Sequence, residues 1–385
     1  MHGFINGFHP HFPILHPQTL QFREMAVELI LAVAAVGSHY CLEAHQGVQL
    51  FHIAKSIALE QIRRRDMDNS NMLDGAPYSS SWPLAKPSTS QHGSKPHEFR
   101  ETPDKKPALH SQEKRCLVQL MQALFFLMAM ATWGGENRSL VRQAIMTQST
   151  LAMLVRQDGL RESPATELTW EGWALAESAR RTKLIIFSFF NLQTIAFNVP
   201  TLLMIPEIQL RLPCSEREWK APDANSWVAF SERSDTPPLF QDCMGALIRD
   251  GGVVPVCSSL GSHVLIHALL QWIIAMQHSI DIQGTGCKMG SRLSLPLRRA
   301  LKKWQTSWEK NPEASYSPLD KYGPIAFNST VTEFFSFSIC ISCAISVSDT
   351  ATGSLAPRPY PASRRHRAFP VPPRAKPSSH CEAAP

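Results

Sequence analysis

Several groups of residues in this 385-residue chain have types and spacings that could do chemistry. His263 and His267 stand four apart, the spacing that puts two imidazoles on one helical face where a divalent metal could sit. Their neighbours Val264, Leu265 and Ile266 are apolar, and no Glu completes the zinc-protease helix motif, so a pair of core histidines is expected instead. Cys340 and Cys343 have the spacing of half a zinc knuckle, but no second Cys pair or closely spaced His pair follows. His9, His11 and His16 alternate with Pro10, Pro13 and Pro17, which reads as a turn-rich entry loop rather than a metal tract. The Gly134-Gly135 and Gly251-Gly252 pairs belong to no phosphate-cradling motif, and no GxSxG elbow presents a nucleophile. These residues therefore suggest no catalytic, cofactor-binding or metal residue, and an enzyme is not expected.

A different constellation carries more information. Trp170, Trp173, Glu177, Arg180, Arg181 and Leu184 recur three or four apart, which predicts one face of a helix. Glu177 and Arg181 can pair at i,i+4, yet an exposed pair of that kind contributes only about 0.3–0.5 kcal/mol, so its energy alone does not explain the cluster. Further on, Ser215 and Glu218 have capping-box spacing, with Pro213 ahead of them and Trp219 just inside, so a new helix is expected to start after Ser215.

The elements that must position these residues read as helices throughout. Two are expected over about 24–37 and 49–65, the second with Leu50, Ile53, Ala54, Ile57, Ala58 and Ile62 on one stripe and Arg63-Arg64-Arg65 at its end. Another runs from Lys114 to Thr132, and its antiparallel partner follows Asn137, a candidate N-cap, toward Val155. After the Trp170 helix, Pro200 and Pro206 break the apolar run. Two more are expected over about 260–277 and 296–309, the last burying Leu297, Leu301, Trp304 and Trp308. No segment sustains period-two alternation, so the fold class is all-α, an array of antiparallel helix pairs.

Residues 66–113, rich in Ser, Pro, Asn and charge, read as a disordered insertion, and 336–385 as a low-complexity Pro/Arg-rich tail outside the domain. Residues 351–385 carry +5 of the net charge of +6, which leaves residues 1–350 with +1 and no broad electrostatic footprint for a phosphate backbone. The tail is read as unstructured sequence or, through Arg364-Arg365-His366-Arg367, as a nuclear-import signal. Nine scattered cysteines and a start without a basic-then-apolar leader point to a reducing, intracellular compartment. Three charge-free stretches, 116–135, 184–206 and 251–280, reach membrane-spanning length, but Gln119, Gln122, Asn191, Gln193 and several His and Pro interrupt them. A polytopic membrane protein is accordingly the lesser alternative.

The Trp170–Trp173 pair, the segment Glu177 to Thr182, Asn191, Asn198-Val199-Pro200, Glu207, the Leu212 to Trp219 block and Trp227 resemble the regulatory domain of fungal-specific transcription factors. This is the xylanolytic-activator type, or middle homology region. Four further segments match in the same order: Gly7–Pro17, Gln122–Gly135, His267–Gln271 and Ala300–Gln305 with Trp308. The resemblance covers about residues 3–335, the expected domain. It implies a nuclear regulator of RNA polymerase II transcription, in which a separate zinc-finger module reads DNA and holds the zinc. No such finger pattern precedes Phe4, so DNA contact and zinc are expected only through a module absent from this chain. Trp170, Trp173, Glu177, Arg180, Arg181, Pro213 and Trp219 are the family-motif residues, expected to be structural. Partners implied are transcriptional co-regulators or self-association, with any small-molecule effector unknown. The alternative is a helical interaction or effector-binding protein with no DNA-binding role.

Overall fold

The computed structural model describes residues 1–41, 43–73, 107–133, 137–162, 169–283 and 288–315. These residues form ten α-helices: α1 (Val27–Tyr40), α2 (Ala44–Leu73), α3 (Pro107–Trp133), α4 (Arg138–Asp158), α5 (Trp170–Phe197), α6 (Glu216–Trp219), α7 (Ala224–Ser231), α8 (Phe240–Ile248), α9 (Ser259–Gln283) and α10 (Lys288–Glu309). Among the described residues there is no strand. Only two isolated bridges occur, Arg161 with Gln209 and Arg211 with Leu239. The chain is all-α, as the periodicity predicted.

Short connections set the topology. Three residues separate α1 from α2 and four separate α3 from α4, and each pair packs along its length, which forces both hairpins antiparallel. Helix α3 joins the two hairpins, contacts α5, and is buried along nearly its whole apolar run from Leu117 to Ala131. On the other side of α5 lies α9, against which α10 and α8 pack. Helix α5 is thus enclosed: every residue from Glu177 to Asn191 except Arg180 is buried. The stripe expected on one face is real, but burial extends around the helix.

The polar residues inside the apolar runs tie these layers together. From α3, Gln119 accepts from the Ala26 N–H at 2.7 Å and donates to the Glu24 carbonyl at 3.1 Å, so its side chain caps the start of α1. Gln122 donates to Ser178 Oγ and Thr182 Oγ1 on α5, and Ser178 in turn donates to the Ile14 carbonyl. Gln148 of α4, Gln193 of α5 and Thr132 of α3 form a second chain. Gln271 on α9 donates to Asn191 Oδ1 and the Leu203 carbonyl and accepts from the Ile205 N–H. A buried polar group costs stability unless it finds such partners.

Caps account for several boundaries. Asn137 Oδ1 accepts from the Ser139 and Leu140 N–H groups, which starts α4 where the sequence placed its N-cap. Gly159 ends that helix at φ 89°, a conformation that a side chain would strain. Asn198 ends α5 in the left-handed region, φ 53° and ψ 40°. Pro200 follows that cap, and Pro206 sits in the 3-10 turn Ile205–Glu207.

Some boundaries differ from expectation. Helix α2 does not stop at Arg65 but continues to Leu73, and within it Arg63 and Arg64 both donate to Glu60. Helices α2 and α3 thereby reach into both ends of the expected insertion 66–113, whose remainder lies outside the described residues. Pro296 was expected to open the last helix, yet α10 begins at Lys288 and carries the proline inside. The N-terminal segment is more than a turn-rich loop: Phe4–Phe8 forms a π-helical turn whose Phe4 and Phe8 pack edge-on against Phe126 of α3. Cys340, Cys343 and the basic tail lie outside the described residues.

Candidate functional site

The residues singled out on α5 meet the Leu212–Trp219 block at one buried centre. Arg181 has no solvent exposure. Its Nε donates to Glu177 Oε1 at 3.0 Å, and its two terminal nitrogens reach Glu216 Oε1 and the Cys214 carbonyl, both at 3.2 Å. The guanidinium plane also lies over the Trp219 ring, 4.1 Å from its centroid. Glu177 in turn accepts from the Cys214 N–H at 3.0 Å and from Arg180, which also pairs with Glu162. Glu162 completes a circuit by accepting from the Arg211 N–H.

Local chemistry explains how the block presents itself. Ser215 caps α6 by accepting from the Glu218 N–H at 3.2 Å, as the capping-box spacing predicted. The single turn of α6 turns Glu216 and Trp219 inward, while Pro213 is buried and its carbonyl accepts from Ser258 Oγ at 2.8 Å. Past α10, the Glu313 carboxylate accepts from the Glu216 N–H at 2.8 Å and the Ser259 N–H at 2.6 Å, so one side chain caps the starts of both α6 and α9.

An aromatic cluster covers the ionic centre. The His16 ring lies 4.7 Å from Trp219, 5.7 Å from Trp170 and 6.1 Å from Trp173, and Trp173 continues to Trp227 at 5.2 Å. Trp170 and Trp173 are half-buried, whereas Trp219 is enclosed. Such rings contribute buried area and edge-to-face attraction together.

Electrostatics follow from burial. Desolvation opposes the charge on Arg181, but Glu216 and Glu177 overcome it and hold the guanidinium firmly protonated. Burial alone would raise the Glu216 carboxyl, and Arg181 and Lys220 more than offset that and keep it below the ordinary range. Glu218 is pushed up to about 7 by burial and by the Glu177 carboxylate, with Arg181 pulling the other way. Burial and Glu177 hold the Cys214 thiol far above its usual value, so it is a neutral packing group and no nucleophile. His16 is lowered to about 4 chiefly by burial and is neutral at physiological pH.

The structure therefore brings together Trp170, Trp173, Glu177, Arg180, Arg181, Pro213 and Trp219. Sequence reasoning missed His16, Glu162, Cys214, Glu216 and Glu313 as members of the same centre. His16 lay in the N-terminal matching segment and Glu216 in the capped block, but no local pattern links either to Arg181. His263 and His267 meet edge-to-face on α9 with 4.6 Å between ring centroids, and burial lowers the first to about 4 and the second well below its usual value. His9 Nε2 bonds the Leu15 carbonyl at 2.8 Å. Among the described residues, no three His, Cys, Asp or Glu side chains gather to hold a metal.

The model of the fungal specific transcription factor domain matches residues 1–306, well over half of the chain. The chain belongs to that family. This fungal transcription factor domain is also similar to two proteins of the fission yeast Schizosaccharomyces pombe. It is 23% identical to zinc finger protein klf1 over 281 residues, 70% of this chain and 31% of that protein. With zinc finger protein zas1 it shares 26% identity over 149 residues, 37% of this chain and 16% of that protein. The chain thus spans under a third of the length of each relative. No solved structure gives a significant match. The domain is one of a transcription regulator, and its family match stops seven residues short of Glu313, which nonetheless caps two of its helices.

Proposed function

We propose that this chain is the helical regulatory and interaction domain of a nuclear transcription factor acting on RNA polymerase II genes. In this reading, DNA is read and zinc is held by a separate zinc-finger module. The family match carries the reading. The names of the two relatives, each matched over under a third of its length, support assigning DNA contact and zinc to a further module. The domain is a regulator rather than an enzyme, and it needs no cofactor of its own. Its output passes through co-regulators or a second copy.

The family-motif residues act as the brace of this domain. Their charges are spent on one another: Arg180 and Arg181 face Glu162, Glu177 and Glu216 inside the fold, which leaves neither arginine for a nucleic acid backbone. The membrane reading loses ground on packing. Among the described residues, the two helical windows apolar enough to span a bilayer, Gln112–Thr132 and Ser259–Met276, are 83% and 78% buried.

Fusing the chain to an unrelated DNA-binding domain in a fungal host tests the reading. A reporter carrying that domain's sites should change its output when the chain is attached. Filter binding of the isolated chain should show no sequence-specific DNA affinity at physiological salt. An inert fusion, or tight specific DNA binding by the chain alone, overturns the proposal.

A further inference from the structure

A second buried pair lies apart from the ionic centre. Cys243 on α8 and Cys257, two residues ahead of α9, are free thiols whose Sγ atoms stand 4.0 Å apart. A disulfide requires about 2.05 Å between sulfurs, so closure needs an approach of about 2 Å. The backbone can supply it. Residues 252–258 are not helical, Gly251 ahead of them has φ 74°, and Val253 is 87% exposed, so one partner sits on an adjustable segment and the other on a helix.

We propose that Cys243 and Cys257 form a dithiol that a hydroperoxide oxidises to an intramolecular disulfide, fastening α8 to the segment that leads into α9. Cys257, beside the exposed stretch, reacts first. Its sulfur attacks one peroxide oxygen, the O–O bond breaks, and the departing oxygen leaves as water with the thiol proton. Cys243 sulfur then attacks the resulting sulfenic sulfur and displaces its hydroxyl, which leaves as a second water with the Cys243 proton. Two thiols lose two protons and two electrons, and one hydrogen peroxide becomes two waters.

The surroundings set the threshold. The neighbouring Cys243 thiol and burial raise the Cys257 thiol well above its usual value, and the thiolate is the reactive form. The pair therefore stays reduced under ordinary conditions and closes only under sustained oxidant. The loop it would close contains Ala246, whose carbonyl accepts from Lys303 of α10 at 3.0 Å, so closure stiffens the corner where α8 meets α10.

The full chain treated with hydrogen peroxide, denatured, alkylated and digested with trypsin without reduction gives a direct test. Trypsin cuts after Arg233, Arg249 and Lys288, so the bond appears as peptide 234–249 joined to peptide 250–288. Fragment ions must assign it to Cys257 and not to Cys287, which shares that peptide. Cys287→Ser should keep the link and Cys257→Ser should abolish it. Untreated protein should show both thiols alkylated. Thiols still alkylated after treatment, oxidation only to sulfinic acid, or linkage to another cysteine would each overturn the inference, and the wild-type measurement needs no variant to fold.

Discussion

The guanidinium of Arg181 is layered on the indole of Trp219, with its edges turned to Glu177, Glu216 and the Cys214 carbonyl. One cation thereby satisfies two carboxylates and a carbonyl and still offers its face to an aromatic ring. Removal of one partner from a buried pair leaves the other charges uncompensated. Arg181→Ala is expected to lose about 3–5 kcal/mol in denaturant unfolding. Arg181→Lys should recover only part of this, since a single ammonium cannot reproduce the planar fork. Transcriptional output should fall in step with stability across the two variants; unchanged stability with abolished output would assign Arg181 to ligand contact instead.

Glu218 makes the opposite contribution. Its folded value of about 7 lies above the ordinary 4.5, so the folded state holds a proton that the unfolded state releases, and stability falls as pH rises between those values. Glu218→Gln removes this term. The variant should match wild type near pH 4 and exceed it by roughly 2–3 kcal/mol above pH 7, measured by urea unfolding across pH. A constant difference at all pH values would rule out titration as the cause.

The buried histidines titrate with the other sign. His16 and His263 are lowered to about 4, so the unfolded chain takes up protons below 6.5 that the folded one refuses. Their stabilising contribution is complete above pH 6.5 and is lost as pH falls toward 4. Thermal midpoints should drop over that window, and His16→Phe should flatten the drop.

Glu313 is expected to matter although it lies beyond the family match. Glu313→Ala should cost about 1–3 kcal/mol, the worth of one charge-assisted cap on each of two helices. Hydrogen exchange reads this locally: the Glu216 and Ser259 amides should lose protection together.

Asn198 offers a backbone test. Asn198→Val should destabilise by about 1 kcal/mol or more, because a β-branched residue resists the left-handed conformation, while Asn198→Gly should be nearly neutral.

Helices and their caps were legible because they are local. Asn137 and Ser215 announced their helices through a side chain that reaches only two or three residues ahead. The Glu177–Arg181 pair was legible for the same reason. Glu216 and Glu162 were not, since they approach Arg181 and Arg180 across 35 and 18 residues of chain and only the fold decides that they meet. His16 joins the tryptophans from the opposite end of the domain, and its Pro-rich setting gave it the look of a loop residue. Helix ends drifted where α2 ran past its triple arginine and where α10 absorbed Pro296. Helices α7 and α8 are short and were not anticipated; their apolar positions are too few to establish a period.

The enclosure of α5 has a consequence for how this gene can vary. A helix with one wet side tolerates change at every third or fourth codon, so a saturation library shows a wave of permissive positions. Between Glu177 and Asn191 only Arg180 departs from full burial, and it is held by two carboxylates. Deep mutational scanning should therefore find a flat block of intolerance about four turns long, with no permissive register inside it.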